Sequence, residues 1–153
     1  MNTRTLALGL VAAAAVSFAA FADGELAPLS QDAYLALPKS GEQAPFVLDV
    51  RAPEEFVTGH VPGAVNIPHE QIAARIAEVP KDKDVVLYCR SGRRAGMAAE
   101  VLAANGYTRL KHLEGDMPAW IDKGRPVEKP KDPAACVTAL GAGKSSAPAC
   151  SGG

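Results

Sequence analysis

The sequence predicts an α/β fold: a three-layer single domain with a central, mostly parallel sheet of about five strands and helices on both faces. Two observations predict it. Short apolar runs of strand length, Phe46–Val50, Ala64–Ile67 and Val85–Tyr88, recur along the chain, and segments with helical spacing lie between them. Strands that alternate with helices make βα units, which close into parallel sheets. The length of 153 residues suits one domain with appendages, and an apolar share of 48% is enough for a packed core.

The chain opens with residues of another kind. Arg4 and the amino terminus carry positive charge, and Leu6 to Ala20 is an uncharged run. Ala20-Phe21-Ala22 then gives a small-x-small site before Asp23. This is the pattern of a secretory signal peptide over 1–22, cleaved after Ala22. At ~1.5 Å per residue the run reaches only about 22 Å, short of a ~30 Å hydrocarbon core, so a membrane anchor is disfavoured. The short bacterial form of the leader points to the periplasm, an oxidising compartment.

Residues 23–124 carry the regular patterns. Leu26–Leu29 is a short, edge-like strand. Phe46–Val50 is nearly continuous in apolar residues, as a buried parallel strand should be. Pro53 suits the first turn of a short helix through Phe56. Ala64–Ile67 is the next strand. Ile72, Ile76 and Val79 recur at helical spacing and predict a helix. Val85–Tyr88 is the strongest strand, entered through the polar turn Lys81-Asp82-Lys83-Asp84. Ala95, Ala98, Ala99 and Leu102 mark a helix that Asn105-Gly106 stops. Arg109–Leu113 is the last strand. Residues 125–153 hold four prolines with many Ala, Gly and Ser, and are expected to be a loosely structured tail.

Charge and cysteine content exclude several classes. Sixteen basic and 17 acidic residues leave a formal net charge of −1, which argues against a nucleic-acid binder that works through bulk charge. Three cysteines without a CxxC pair argue against a zinc knuckle. His60, His69 and His112 share no ligand spacing, so no metal site is expected; no cofactor is expected either.

Cys89 directly follows the strongest strand, and Arg90-Ser91-Gly92-Arg93-Arg94 lead into a helix. The thiol therefore sits at a strand's carboxyl end, in a tight turn, under a helix amino terminus. Unpaired N–H groups of such a turn, the helix dipole and three arginines all favour an anion there. An ordinary thiol near 8.5 is only about 3% thiolate at pH 7. Cys89 thus has a physical rationale as a nucleophile. Three arginines within six residues repel one another unless an anion sits among them or they splay into solvent.

The strand, the CRSGRR loop and the helix resemble the active-site loop of the rhodaneses, the thiosulfate sulfurtransferases. Phe56 through Ile67, with His60-Val61-Pro62-Gly63-Ala64 inside it, resembles that family's amino-terminal signature. Asp49-Val50-Arg51 with Glu54-Glu55 resembles its preceding segment. Leu113-Glu114-Gly115-Asp116-Met117-Pro118-Ala119-Trp120 resembles its closing segment, with Asp116 where a second glycine is usual. The resemblance covers about Leu26 to Gly124 and is closest to the exported single-domain, phage-shock type.

The resemblance implies a persulfide mechanism. Cys89 would take sulfane sulfur from thiosulfate or a similar small donor and pass it to cyanide or a thiol acceptor. Arg90, Ser91, Gly92, Arg93 and Arg94 would bind the donor. The expected partners include no nucleic acid and no membrane after leader removal, and the expected state is a monomer.

Among the remaining residues, Asp49 and Arg51 are expected to pair structurally with Glu54 or Glu55. His60 is expected to anchor the Val61-Pro62-Gly63 turn by hydrogen bonds rather than act as a base. His69 and His112 read as isolated surface or satisfied residues, and Trp120 as core or pocket wall. Cys136 and Cys150 are expected to form a disulfide, given an oxidising compartment. Closing a loop of that size limits chain entropy by roughly 3 kcal/mol in the simple picture.

Dual-specificity phosphatases share the implied fold, but their loop needs an arginine six residues past the cysteine. Here that position is Ala95, and Arg94 comes one too early. The alternative is a sulfur carrier without turnover, or a rhodanese-like binding module in the periplasm.

Overall fold

The computed structural model describes residues 26–150. The expected leader and its cleavage point after Ala22 fall outside that range.

Five parallel strands form one sheet: β1 (Ala27–Leu29), β2 (Phe46–Asp49), β3 (Val65–Asn66), β4 (Val85–Tyr88) and β5 (Leu110–Leu113). Their order across the sheet is β1-β5-β4-β2-β3. Pro28 lacks a backbone donor, and its strand lies at an edge, where a missing N–H is tolerated. Alternation along β4 divides the core. Val85, Leu87 and Cys89 face one buried cluster, while Val86 and Tyr88 face another. Helices cover both faces, which makes the three layers.

On the first face lies α3 (Arg93–Ala104), which buries Ala95, Ala98, Ala99 and Leu102 as their spacing requires. On the second lie α1 (Gln31–Ala36) and α4 (Asp116–Asp122), which contribute Tyr34, Met117 and Trp120. The hydroxyl of Ser30 caps α1 by accepting from the Ala33 N–H. Neither α1 nor α4 is marked by apolar spacing, because each runs for fewer than two turns and offers too few repeats to stand out.

The helix expected over Ile72–Val79 is instead a pair of 3-10 turns, His69–Gln71 and Ile76–Glu78. Pro80 lacks the N–H that an α-helix would send to the Ile76 carbonyl. The Tyr107 hydroxyl donates to that carbonyl at 2.9 Å and to the Val79 carbonyl at 2.7 Å. Ile72 and Val79 still reach the core.

The carboxyl-terminal segment is not loose. It contains α5 (Pro133–Gly141), capped by Asp132 with Pro133 in its first turn. Cys136 and Cys150 form a disulfide, as expected. Together with Leu140 they enclose Phe56 of α2 (Pro53–Phe56) in a third apolar cluster. The Ser145 hydroxyl bridges Arg75 and Glu78. Prolines and small residues on this segment mark a cap and close packing rather than disorder.

The sheet order fixes where a ligand site belongs. From β2 the chain moves outward to β3, and from β4 it moves outward the other way to β5. The connections diverge beyond the carboxyl ends of adjacent β2 and β4, and that divergence opens a crevice. Asp49 to Arg51 follow β2 there, and Cys89 follows β4.

Candidate active site

Cys89 is the free cysteine and is fully buried. Its side chain meets the α3 face of the core. The turn after it requires glycine: Gly92 has φ +79°, and α3 begins at the next residue. Among the described residues, the N–H groups of residues 90–95 find no acceptor within the chain, and the first bond of the helix runs from Gly96 N–H to the Gly92 carbonyl at 2.9 Å. Successive unpaired amides at a helix start make a concave donor surface for an anion.

The five loop residues expected to bind a donor differ in placement. Arg90, Ser91 and Arg93 are exposed. Arg94 is half-buried and held by Glu55 through two bonds, 2.5 and 2.9 Å. The Glu55 hydrogen bond is the main reason that the Arg94 guanidinium is held above its ordinary value, and the nearby Cys89 sulfur adds to the rise. The same contact lowers the Glu55 carboxyl to about 2.

The expected pairing of Asp49 and Arg51 with Glu54 or Glu55 is corrected. The two pair with each other: Arg51 Nη2 lies 2.5 Å from Asp49 Oδ2 and also donates to the Gly59 carbonyl at 2.9 Å. Both side chains are buried, with Arg51 5% and Asp49 0% exposed. Burial opposes the Arg51 charge, but the bonded Asp49 outweighs it and holds Arg51 above its ordinary value. Two residues of separation let the strand end fold the guanidinium back onto the carboxylate, which leaves Glu55 for Arg94. Arg51 also lies 5.6 Å over the Tyr88 ring.

The His60 side chain is structural, but it bonds to the end of α2 rather than to the Val61-Pro62-Gly63 turn. Its Nδ1 meets the Phe56 carbonyl at 3.1 Å, and its ring stacks on Phe56 at 3.7 Å. Burial pushes the imidazole below its ordinary value, so it is kept neutral. The ring is sealed under the third cluster and is a structural part. Trp120 is core, as expected, and its indole N–H donates to the Pro126 carbonyl at 2.7 Å.

His112 is not isolated. Its Nε2 lies 3.1 Å from Asp116 Oδ2, and the other carboxylate oxygen accepts the Cys89 backbone N–H at 2.7 Å. Asp116 is buried with φ +52°, a left-handed conformation that turns its carboxylate back toward the end of β4. Such a conformation costs a non-glycine residue of order 1–2 kcal/mol. Sequence reasoning missed this link because its partners lie just after β4, on β5 and at the start of α4, and no local period joins them. The one signal was an aspartate at a turn position that favours glycine.

A cavity of about 490 Å³ opens beside the loop, lined by Arg51, Glu54, Glu55, Arg90 and Met117 among others. Another hollow of about 420 Å³ lies against the second core cluster near Tyr34 and Trp120. The first is lined by Arg90 of the loop, next in sequence to Cys89, whose own side chain is buried and does not line it.

Comparisons with known proteins agree with this geometry. A sulfurtransferase of Allochromatium vinosum is 41% identical over 85 residues, 56% of this chain and 79% of that protein. The thiosulfate sulfurtransferase PspE of Escherichia coli is 43% identical over 70 residues, 44% of this chain and 67% of that protein. A solved structure from Rhodopseudomonas palustris, described as a protein of unknown function and possible tyrosine phosphatase, has a TM-score of 0.59 at 30% identity; the match covers 67% of this chain and 85% of that one. The family described as "Rhodanese-like domain" matches residues 30–123, more than half of the chain. This chain therefore belongs to the rhodanese-like domain family, which includes sulfurtransferases.

Proposed function

We propose that the protein is a thiosulfate sulfurtransferase that works through a persulfide on Cys89. The observation that carries this reading is a free thiol at the β2–β4 crevice, followed by unpaired amides and three arginines. The Cys89 thiolate attacks the outer sulfur of thiosulfate. A new S–S bond forms, the donor's S–S bond breaks, and sulfite leaves with the electron pair. Arg90, Arg93 and Arg94 offset the charge of the dianionic donor. The unpaired amides are available to hold the persulfide anion. An acceptor then attacks the terminal sulfur: cyanide leaves as thiocyanate, a thiol leaves as its own persulfide, and the Cys89 thiolate returns. Ser91 and Gly92 shape the turn; Asp49, Arg51 and His60 support it. We place this reaction in the periplasm, after removal of residues 1–22, with the protein acting as a monomer.

Sulfite release from thiosulfate tests this reading, measured with cyanide or a small thiol present. Multiple turnovers are expected, and Cys89→Ser is expected to abolish them. One equivalent of sulfite without further turnover points to a sulfur carrier instead. Full activity in Cys89→Ser removes the mechanism.

A further inference from the structure

We propose that Asp116 and His112 are a positioning pair for Cys89: the Asp116 carboxylate fixes the Cys89 amide, and a protonated His112 cancels the negative charge that this places beside the thiol. The proposal rests on the sulfurtransferase reading for its purpose, but its geometry stands alone.

The two carboxylate oxygens divide the work. One takes the Cys89 N–H at 2.7 Å and the other meets His112 Nε2 at 3.1 Å. The turn is built to aim them. Gly115 and Asp116 are both left-handed, and the Gln31 amide holds the Glu114 and Asp116 carbonyls from α1. The pair also touches the other end of the loop. A Cβ on Gly92 would lie 3.2 Å from His112 Cε1 and 3.5 Å from Asp116 Oδ2. So the same two side chains underlie both Cys89 and the glycine that turns the chain into α3.

The arrangement poses an electrostatic problem that His112 solves. A bare carboxylate bonded to the cysteine's own amide opposes a thiolate, a persulfide anion and a dianionic donor. With a proton on both ring nitrogens, His112 makes the pair neutral overall. When it loses one, the site gains a full negative charge beside Cys89.

The groups around His112 favour the protonated form. The Asp116 hydrogen bond is the main cause that raises the imidazole, burial opposes it, and the charges of Asp116 and Glu114 add to the rise. The strand neighbours Pro28 and Leu87 bring no charge. Lys111, next along β5, is engaged by Asp84 at 2.7 Å. From the β4–α3 side the ionisable residues are Cys89, Arg90, Arg93 and Arg94, with Arg94 committed to Glu55.

The Cys89 titration tests the pair without requiring sulfur transfer. Cys136 and Cys150 are bridged, so the ultraviolet thiolate signal that disappears in Cys89→Ser belongs to Cys89. His112→Gln is expected to cut the thiolate fraction at neutral pH about tenfold, as an uncompensated like charge should. Asp116→Asn keeps an acceptor for the Cys89 N–H and removes the charge; combined with His112→Gln it is expected to restore the thiolate. A His112→Gln protein with the wild-type titration overturns the proposal, as does a double variant without recovery. A second readout alters neither member. The His112 ring, followed by NMR, is expected to titrate higher in the wild type than in Cys89→Ser, because coupling between two sites is reciprocal. Identical curves overturn the pair. If the thiolate responds as stated and thiosulfate yields no sulfite, the pair stands and the sulfurtransferase reading fails. If sulfite is released and Cys89 ignores His112, the pair alone fails.

Discussion

Glu55 of α2 grips Arg94 at the start of α3 through two hydrogen bonds, tying the turn after β2 to the loop after β4. The contact spans the crevice and fixes one of the three loop arginines. Glu55→Gln is expected to raise KM for thiosulfate several-fold with a smaller change in kcat, because Arg94 loses its fixed position. The stability cost is expected to be about 1 kcal/mol or less, since the pair is partly solvated. The Glu55 carboxyl is lowered from 4.5 to about 2, so this stabilisation is present above pH 4.5 and disappears as pH falls toward 2. Urea midpoints of the two proteins over that window check it: their separation is expected to close toward the acid end.

Asp49 and Arg51 form a buried pair, and losing one partner strands the other. Asp49→Ala is expected to cost ~3–5 kcal/mol. Joint replacement by apolar residues, Asp49→Leu with Arg51→Met, is expected to cost less than the single change. Denaturant titration of the two variants decides; equal losses would show that the pairing itself contributes little.

His60 and His112 are expected to shift stability in opposite directions with pH. Burial lowers the His60 imidazole below 6.5, so its contribution is present above that pH and is lost as pH falls through the folded value. Asp116 raises the His112 imidazole above 6.5, so its contribution is present below that pH and is lost as pH rises through the folded value. Urea midpoints of His60→Asn and His112→Gln against the wild type are expected to differ most at alkaline and acid pH respectively.

The carboxyl-terminal helix is expected to be a cooperative part of the domain. Leu140 is fully buried beside Phe56, so Leu140→Ala is expected to cost ~2–5 kcal/mol. Reduction of Cys136–Cys150 is expected to expose α5 to proteolysis before the sheet. Limited digestion with and without reductant reads this directly; identical digestion would show that noncovalent packing alone holds α5.

The parts legible in the sequence are those that repeat locally. The apolar runs of β2 and β4 show because both strands are buried on two faces. The α3 stripe shows because Ala95 to Leu102 return at a helical period. Cys89 and its loop are contiguous, so the nucleophile could be proposed from order alone. The Ile72–Val79 period misled because Pro80 and Tyr107, one local and one distant, divert the Ile76 carbonyl. The Glu55–Arg94 and Asp116–Cys89 contacts join residues 39 and 27 positions apart, and such pairs follow from strand order rather than from spacing.

The central claim is a sulfur-bearing covalent form of Cys89, and the intact mass of the protein after thiosulfate treatment tests it most directly. The account predicts the gain of one sulfur atom, lost on adding cyanide and absent in Cys89→Ser. An unchanged mass, or the same gain in Cys89→Ser, would contradict it.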